Sequence, residues 1–159
     1  MKTANTLLVL NSLLLLTACG QRAVYAEYAA VPDSGWMADS MYVFSWEVTD
    51  TAQAYDVLIH LRHKDNYPYQ NLWLFVEQAA YNIESQPVRD TIELYLADDH
   101  GRWLGSGGNG LLNMPVLYRQ SYHFPAQGVY TLTIQQGMRT DLLRGMSDVG
   151  VEVRAAEGE

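Results

Sequence analysis

The chain is 159 residues long, carries a formal charge of −8 and contains a single cysteine. That length holds one domain of ordinary size. Its 18 acidic against 10 basic side chains exclude nucleic acid and a polybasic membrane contact, because phosphate binding needs clustered Lys and Arg.

At the N-terminus Lys2 precedes an apolar run from Leu7 to Leu16, followed by Leu16-Thr17-Ala18-Cys19. A spanning helix needs roughly 20 apolar residues, so this run is too short to be one. It has the form of a secretory signal, and a small residue directly before cysteine is where the lipoprotein signal peptidase cuts. Residues 1–18 are therefore read as a signal peptide and Cys19 as the lipidated first residue of the mature chain, bearing a diacylglycerol thioether and an acylated amine of the palmitate type. Two or more acyl chains give stable attachment where one is marginal, at about 0.8 kcal/mol per buried CH₂. Lys2 leaves with the signal, so the mature charge becomes −9 (−8 minus 1). A lipidated Cys19 cannot pair, so the fold is expected to stand without a disulfide. Gly20, rather than an aspartate, follows the cysteine, which points to the periplasmic face of the outer membrane. Residues 19–31 read as the lipidated N-terminus and a short tether, 32–155 as the domain, and 156–159 as a flexible tail.

After a Pro32-Asp33-Ser34-Gly35 turn, Met41 to Thr49 alternates, with Tyr42, Phe44, Trp46 and Val48 on one side. Tyr55, Val57, Ile59 and Leu61 repeat the pattern. Leu72 to Val76 is a continuous apolar run, which predicts a strand buried on both faces. Ile92, Leu94 and Leu96 alternate again, then Val116 to Phe124 and Val129 to Gln136 follow across a corner at Pro125 and Gly128. Val149, Val151 and Val153 close the series. The only helical signal is one short turn near Asp141 to Arg144. Short strands with Gly and Pro punctuation predict an all-β fold, a single antiparallel β-sandwich of jelly-roll-like form.

Chemistry-bearing clusters are few. Asp98-Asp99-His100-Gly101 could offer oxygens to Ca²⁺, but a set of six to eight ligands is not completed nearby, and ordinary turn chemistry accounts for it better. Gly101 to Gly110 holds five glycines and lacks the Gly-Lys-Ser/Thr of a phosphate loop. Within it, Arg102 and Trp103 would suit a partner surface, or Trp103 folds back as a plug on the core, and the plug weighs slightly more. Trp36, Trp73, Trp103, Tyr67, Tyr69 and Tyr122 could form a row that stacks on sugar rings, against the simpler reading that they pack the interior. His60, His63, His100 and His123 lack zinc spacing, and Ser106 lacks the Gly-x-Ser-x-Gly elbow. The expectation is a non-enzyme without metal or cofactor.

Several runs together resemble the gliding-motility lipoproteins of the GldH type. Tyr25, Glu27 and Tyr28 with Pro32, Gly35 and Trp36 are similar to that family's opening segment. Tyr69-Gln70-Asn71-Leu72 and Asp99-His100-Gly101-Arg102-Trp103-Leu104-Gly105 resemble its central motifs. Phe124-Pro125 with Gly128 and Tyr130, Ile134-Gln135 with Met138-Arg139, and Leu143 to Gly150 complete the resemblance. Met146 stands where the family pattern has Ile, a volume-conserving change. The resemblance implies a lipoprotein needed for gliding in gliding bacteria, tied to the type IX secretion apparatus, with no catalytic residue or cofactor. The expected role is a structural or assembly component whose partners are envelope or motility-machinery proteins. Arg102, Trp103, Arg139 and Asp148 are the candidate partner contacts. The alternative is a cell-envelope carbohydrate-binding module.

Overall fold

Alternating apolar residues along nearly every segment leave the chain one way to hide them, face to face between two sheets. The computed structural model describes residues 23–81 and 86–156; the signal peptide, Cys19 and most of the expected tail lie outside the described residues. The strands in chain order are β1 (Ala23–Ala30), β2 (Trp36–Met37), β3 (Met41–Val48), β4 (Tyr55–Lys64), β5 (Asn71–Tyr81), β6 (Val88–Tyr95), β7 (Ser106–Gly108), β8 (Leu111–Tyr122), β9 (Gly128–Gln136), β10 (Leu142–Leu143) and β11 (Met146–Ala155).

One sheet has the order β1-β11-β4-β8-β7 and the other β3-β9-β5-β6, while β2 and β10 form a small ribbon of their own. The eight long strands pair in nested fashion, all antiparallel: β1 with β11, β3 with β9, β4 with β8, and β5 with β6. This is one long hairpin wound around a common core, the jelly-roll arrangement, as the strand spacing predicts.

The alternation is realised where it was read. Phe44, Trp46 and Val48 on β3, Val57, Ile59 and Leu61 on β4, and Val149, Val151 and Val153 on β11 all lie in the core. Two clusters close its ends. At one end Phe124 packs between Trp46, Tyr55, Tyr122 and Tyr130. Beside it the Tyr130 hydroxyl donates to the Ala126 carbonyl at 2.8 Å and accepts from the Ala126 N–H at 3.3 Å. That is a tyrosine corner. At the opposite end Trp36 is fully buried and donates its indole N–H to the Ser40 carbonyl at 2.9 Å.

Three expectations are corrected, and one run without an assigned element gains one. Residues 23–30, read as tether, form β1 and pair along β11; its place is set by Tyr28, whose ring covers the bare Cα of Gly150, a fit between distant residues. The helical turn at Asp141 to Arg144 is instead extended, because Leu142 and Leu143 pair with Met37 and Trp36. The Gly-rich run contains β7, joined to β8 by Asn109-Gly110, whose φ values of 54° and 76° make a two-residue hairpin turn of the kind those residues favour. Finally, Leu72, Leu74 and Val76 are buried, but Trp73 and Phe75 face out. No element of the described chain covers the outer face of that sheet, so the apolar run is buried on one side only.

Candidate functional site

Three loops meet at the end of the sandwich opposite Phe124: residues 65–70 after β4, 96–105 after β6, and 137–145 after β9. Hydrogen bonds from both side chains and backbone hold them in place. In the second, Asp98 Oδ1 accepts from the N–H groups of His100 and Arg102, both at 2.9 Å, while Oδ2 takes the Arg102 Nε–H at 2.8 Å. The hydrogen bond from the Arg102 backbone leads in holding the Asp98 carboxyl below the usual aspartate range, with further help from the Arg102 side chain and the His100 N–H. The carboxylate is thus committed to an Asx-type turn. Ala97 bridges Trp103 across the base of this loop. In the first loop Gln70 accepts from the Leu96 and Ala97 N–H groups and donates its amide to the Asp98 carbonyl at 2.8 Å. In the third, buried Gln136 donates to the Thr140 carbonyl at 3.0 Å and accepts from the Met138 N–H at 2.8 Å. The first and third loops touch where Gly145 packs against the Tyr67 backbone, and the Gly145 carbonyl also takes the N–H of Lys64, at the end of β4, at 2.7 Å.

An aromatic cluster fills the space beneath the loops. His63 is fully buried, with its ring 4.7 Å from Trp103 and 5.7 Å from Tyr67. Tyr67 meets Tyr69 edge-on at 5.8 Å and donates its hydroxyl to the Asn71 carbonyl at 2.9 Å. Burial pushes the Tyr67 phenol up, so it stays a donor. His63 Nδ1 donates to the Lys64 carbonyl at 3.0 Å, while its buried Nε2 has no partner among the described residues. Desolvation lowers the His63 pKa, and the hydrogen bond to Lys64 offsets this only in part.

That asymmetry sets a pH dependence. The folded protein favours neutral His63, so its contribution to stability is full above the free-imidazole value of about 6.5 and falls as pH drops below it. Asp98, also favoured in its deprotonated form, acts in a separate window below about 4. Urea unfolding midpoints measured from pH 7.5 to 5 are expected to fall with pH, and His63→Phe is expected to flatten that slope. An unchanged slope in the variant would assign the dependence elsewhere.

The predicted contacts do not form one cluster. Trp103 is half-buried against His63 and Tyr67, the plug arrangement. Arg102 is exposed and steadied by Asp98. Arg139 is exposed on the third loop. Tyr69 lies between the last two, lining both a groove of about 220 Å³ with Trp103, Gln70 and Asp99 and one of about 520 Å³ with Trp73 and Arg139. Asp148 belongs to the outer face of the β1-β11-β4-β8 sheet, 3.6 Å from Arg62 and bonded by the Ser147 hydroxyl.

The proposed aromatic row is broken. Trp36 and Tyr67 are buried, and Trp103 and Tyr122 pack against the core. Only Trp73 and Tyr69, 37% and 40% exposed, remain available, and Phe75 and Tyr95 join them on the same outer face. Sequence reasoning missed Phe75 and Tyr95. The signal was there in the period-two spacing of Trp73 and Phe75, hidden by the apolar residues between them. Among the described residues, no three His, Cys, Asp or Glu side chains converge on a metal-sized point.

A family model described as GldH lipoprotein matches residues 23–153, the full sandwich. Among curated proteins, a gliding motility lipoprotein GldH homolog from Christiangramia forsetii is 28% identical over 92% of this chain and 92% of its own. Gliding motility lipoprotein GldH from Flavobacterium johnsoniae is 29% identical over 96% of this chain and 98% of its own. Among solved structures, part of a family GH115 4-O-methyl-α-glucuronidase overlaps at a TM-score of 0.46 and 12% identity, covering 87% of this chain but 18% of that one.

Proposed function

The chain belongs to the GldH lipoprotein family, and we propose that it is a lipid-anchored, non-catalytic component of the envelope machinery of gliding and type IX secretion. The family match across residues 23–153 carries this reading, together with the name of its Flavobacterium johnsoniae relative, a gliding motility lipoprotein. The site's chemistry supports binding over catalysis. Asp98, Gln70 and Gln136 hold loops in place, which shapes a surface and positions no acid against a base.

The anchor gives that surface a direction. Only residues 20–22 separate Cys19 from the start of β1 at Ala23, and the four Cα steps between them reach at most about 14 Å. Ala23 pairs with Arg154, beside Tyr55, at the Phe124 end of the sandwich. A lipid on Cys19 therefore seats the Phe124 end against the membrane and points the three loops away from it. Arg102 and Arg139 then face the periplasm, where an assembly partner on the inner side of the outer membrane would meet them.

In-cell crosslinking with the Cys19 anchor intact, followed by pull-down, tests the role. Motility or type IX secretion proteins are expected in the crosslinked product. Their absence, while the protein is folded and membrane-bound, would remove the machine reading. Cys19→Ser is expected to abolish radiolabelled palmitate incorporation and to lose the outer-membrane fraction. Retained label at position 19 variants would place the lipid elsewhere.

A further inference from the structure

The outer face of the β3-β9-β5-β6 sheet ends in a groove of about 520 Å³ lined by Tyr69, Asn71, Trp73, Met138, Arg139 and Thr140, with Gly137 between them. That volume is in the range of small-ligand sites, which pair apolar faces with a few convergent polar groups. Two aromatic rings, one amide, one guanidinium and the hydroxyls of Tyr69 and Thr140 make up the reactive lining. The Thr140 hydroxyl donates to the Leu142 carbonyl at 3.2 Å and is left to a ligand as an acceptor. Asn71 is pre-positioned, its Nδ2 donating to Glu93 Oε1 at 2.6 Å, which leaves its Oδ1 and second N–H open. Arg139 makes no ion pair or hydrogen bond among the described residues. It is the only charged residue of the lining, in a chain of formal charge −8.

The main chain along this groove is already occupied. The Gly137 N–H donates to the Trp73 carbonyl at 2.7 Å, and the Trp73 N–H reaches Met138 Sδ at 3.3 Å. The Asn71 carbonyl accepts the Tyr67 hydroxyl. Beyond these, β5 is paired on both sides, with β6 and β9. An extended peptide binds such a surface by adding to an open ladder, and here no ladder is open. A ligand must be read by side chains alone. It needs an apolar ring face for Trp73 and Tyr69, hydroxyls for Asn71 and Thr140, and negative charge for Arg139.

A pyranose ring carrying a carboxylate has all three features: a C–H face, a rim of hydroxyls and an anion that a guanidinium holds in two parallel hydrogen bonds. We propose that the groove between Tyr69, Trp73 and Arg139 binds an acidic oligosaccharide, with a uronate ring lying on Trp73 and its carboxylate on Arg139. The site is independent of the machine role and of the anchor, since it rests on the sheet face alone.

Calorimetric titration of the full lipoprotein in detergent micelles tests it, with tetragalacturonate and tetramannuronate as acidic probes and maltotetraose as the neutral one. At least one acidic probe is expected to bind. Trp73→Ala should weaken that binding at least tenfold and Arg139→Gln about tenfold, while maltotetraose binds more weakly and ignores Arg139→Gln. Arg139 is exposed, so Arg139→Gln is expected to keep the parent's unfolding midpoint. Trp73, 37% exposed, gives up some packing in Trp73→Ala, so the midpoint of each variant is measured alongside and binding is compared where both are fully folded. Failure of both acidic probes, or binding that both substitutions leave intact, overturns the proposal. Trp73-dependent binding of an alanine-proline decapeptide in place of the saccharides would overturn it in favour of a peptide groove. None of these outcomes alters the crosslinking result that tests the machine role.

Discussion

Phe124→Ala is expected to lower the unfolding free energy by about 3–5 kcal/mol, as for large-to-small changes in well-packed cores. Phe124 is 1% exposed and sits in the corner after β8, where both sheets reach it. Tyr55 and Tyr122 come from one sheet at 5.6 and 4.9 Å, Trp46 and Tyr130 from the other at 6.1 and 4.5 Å. Removing the ring leaves a void lined by four other rings, each fixed by its strand, so the site cannot readily collapse. The neighbouring tyrosine corner should respond less. Tyr130→Phe keeps the ring and removes a hydroxyl bonded to both the N–H and C=O of Ala126, a loss of about 1–2 kcal/mol. Urea denaturation at pH 7.5 with an unchanged slope measures both. A domain of this size has roughly 5–15 kcal/mol in total, so Phe124→Ala should shift the midpoint by a large fraction of its value. A loss under about 1 kcal/mol would show that the corner relaxes and that Phe124 does not tie the sheets together.

The same residues show what was legible in the chain. Phe44, Trp46 and Val48 alternate with polar neighbours, as do Val149, Val151 and Val153, and local period alone places both sets in the core. Fold class follows from such segments with the turns between them. Three features were not accessible to that reasoning. β1 lacks a clean alternation, and its register depends on Tyr28 meeting Gly150 more than a hundred positions away. Leu72 to Val76 reads as doubly buried because period cannot tell whether a second layer exists; here none covers Trp73 and Phe75. The full length of β8 from Leu111 was obscured by Pro115. β7 pairs only with Leu111, Leu112 and Asn113, so at Pro115 that side of β8 is a sheet edge, where proline is accepted. Asn109-Gly110, by contrast, is a strong hairpin signal that the glycines around it masked.

The candidate site divides in the same way. The motif Asp99 to Gly105 marked a loop of interest, yet its chemistry differs from its sequence appearance. Asp98 and Arg102 satisfy each other and the turn, and Trp103 anchors the loop to His63. Arg139, three residues beyond buried Gln136 at the end of β9, keeps its charge unpaired among the described residues. Its relation to Trp73 and Tyr69 arises from three separate loops and strands, which no local spacing reports.

Gly145→Ala is the substitution expected to damage that relation most. Gly145 has a φ of +87°, and a Cβ there would lie 2.7 Å from the Cα of Tyr67 and 3.2 Å from its Cβ and N. The obstacle is backbone, not the end of a flexible side chain, so either the 137–145 loop or the 65–70 loop must move. Positive φ on a residue with a Cβ costs about 1–3 kcal/mol, and the displacement adds to it, for a total of roughly 3 kcal/mol. Gly101 supplies the control. Its φ is +76° but nothing lies within 4 Å of its Cβ position, so Gly101→Ala should show the backbone cost alone, about 1 kcal/mol. The difference between the two isolates the close approach at Tyr67. Because Tyr67 carries the hydroxyl bond to Asn71 and the edge contact to Tyr69, its displacement should also disorder the groove in a protein that is still folded. Weakened tetragalacturonate or tetramannuronate binding in Gly145→Ala, with binding intact in Gly101→Ala, would tie the groove to this packing. Equal losses of stability in the two variants would mean that the loops part without cost and that Gly145 does not pin them.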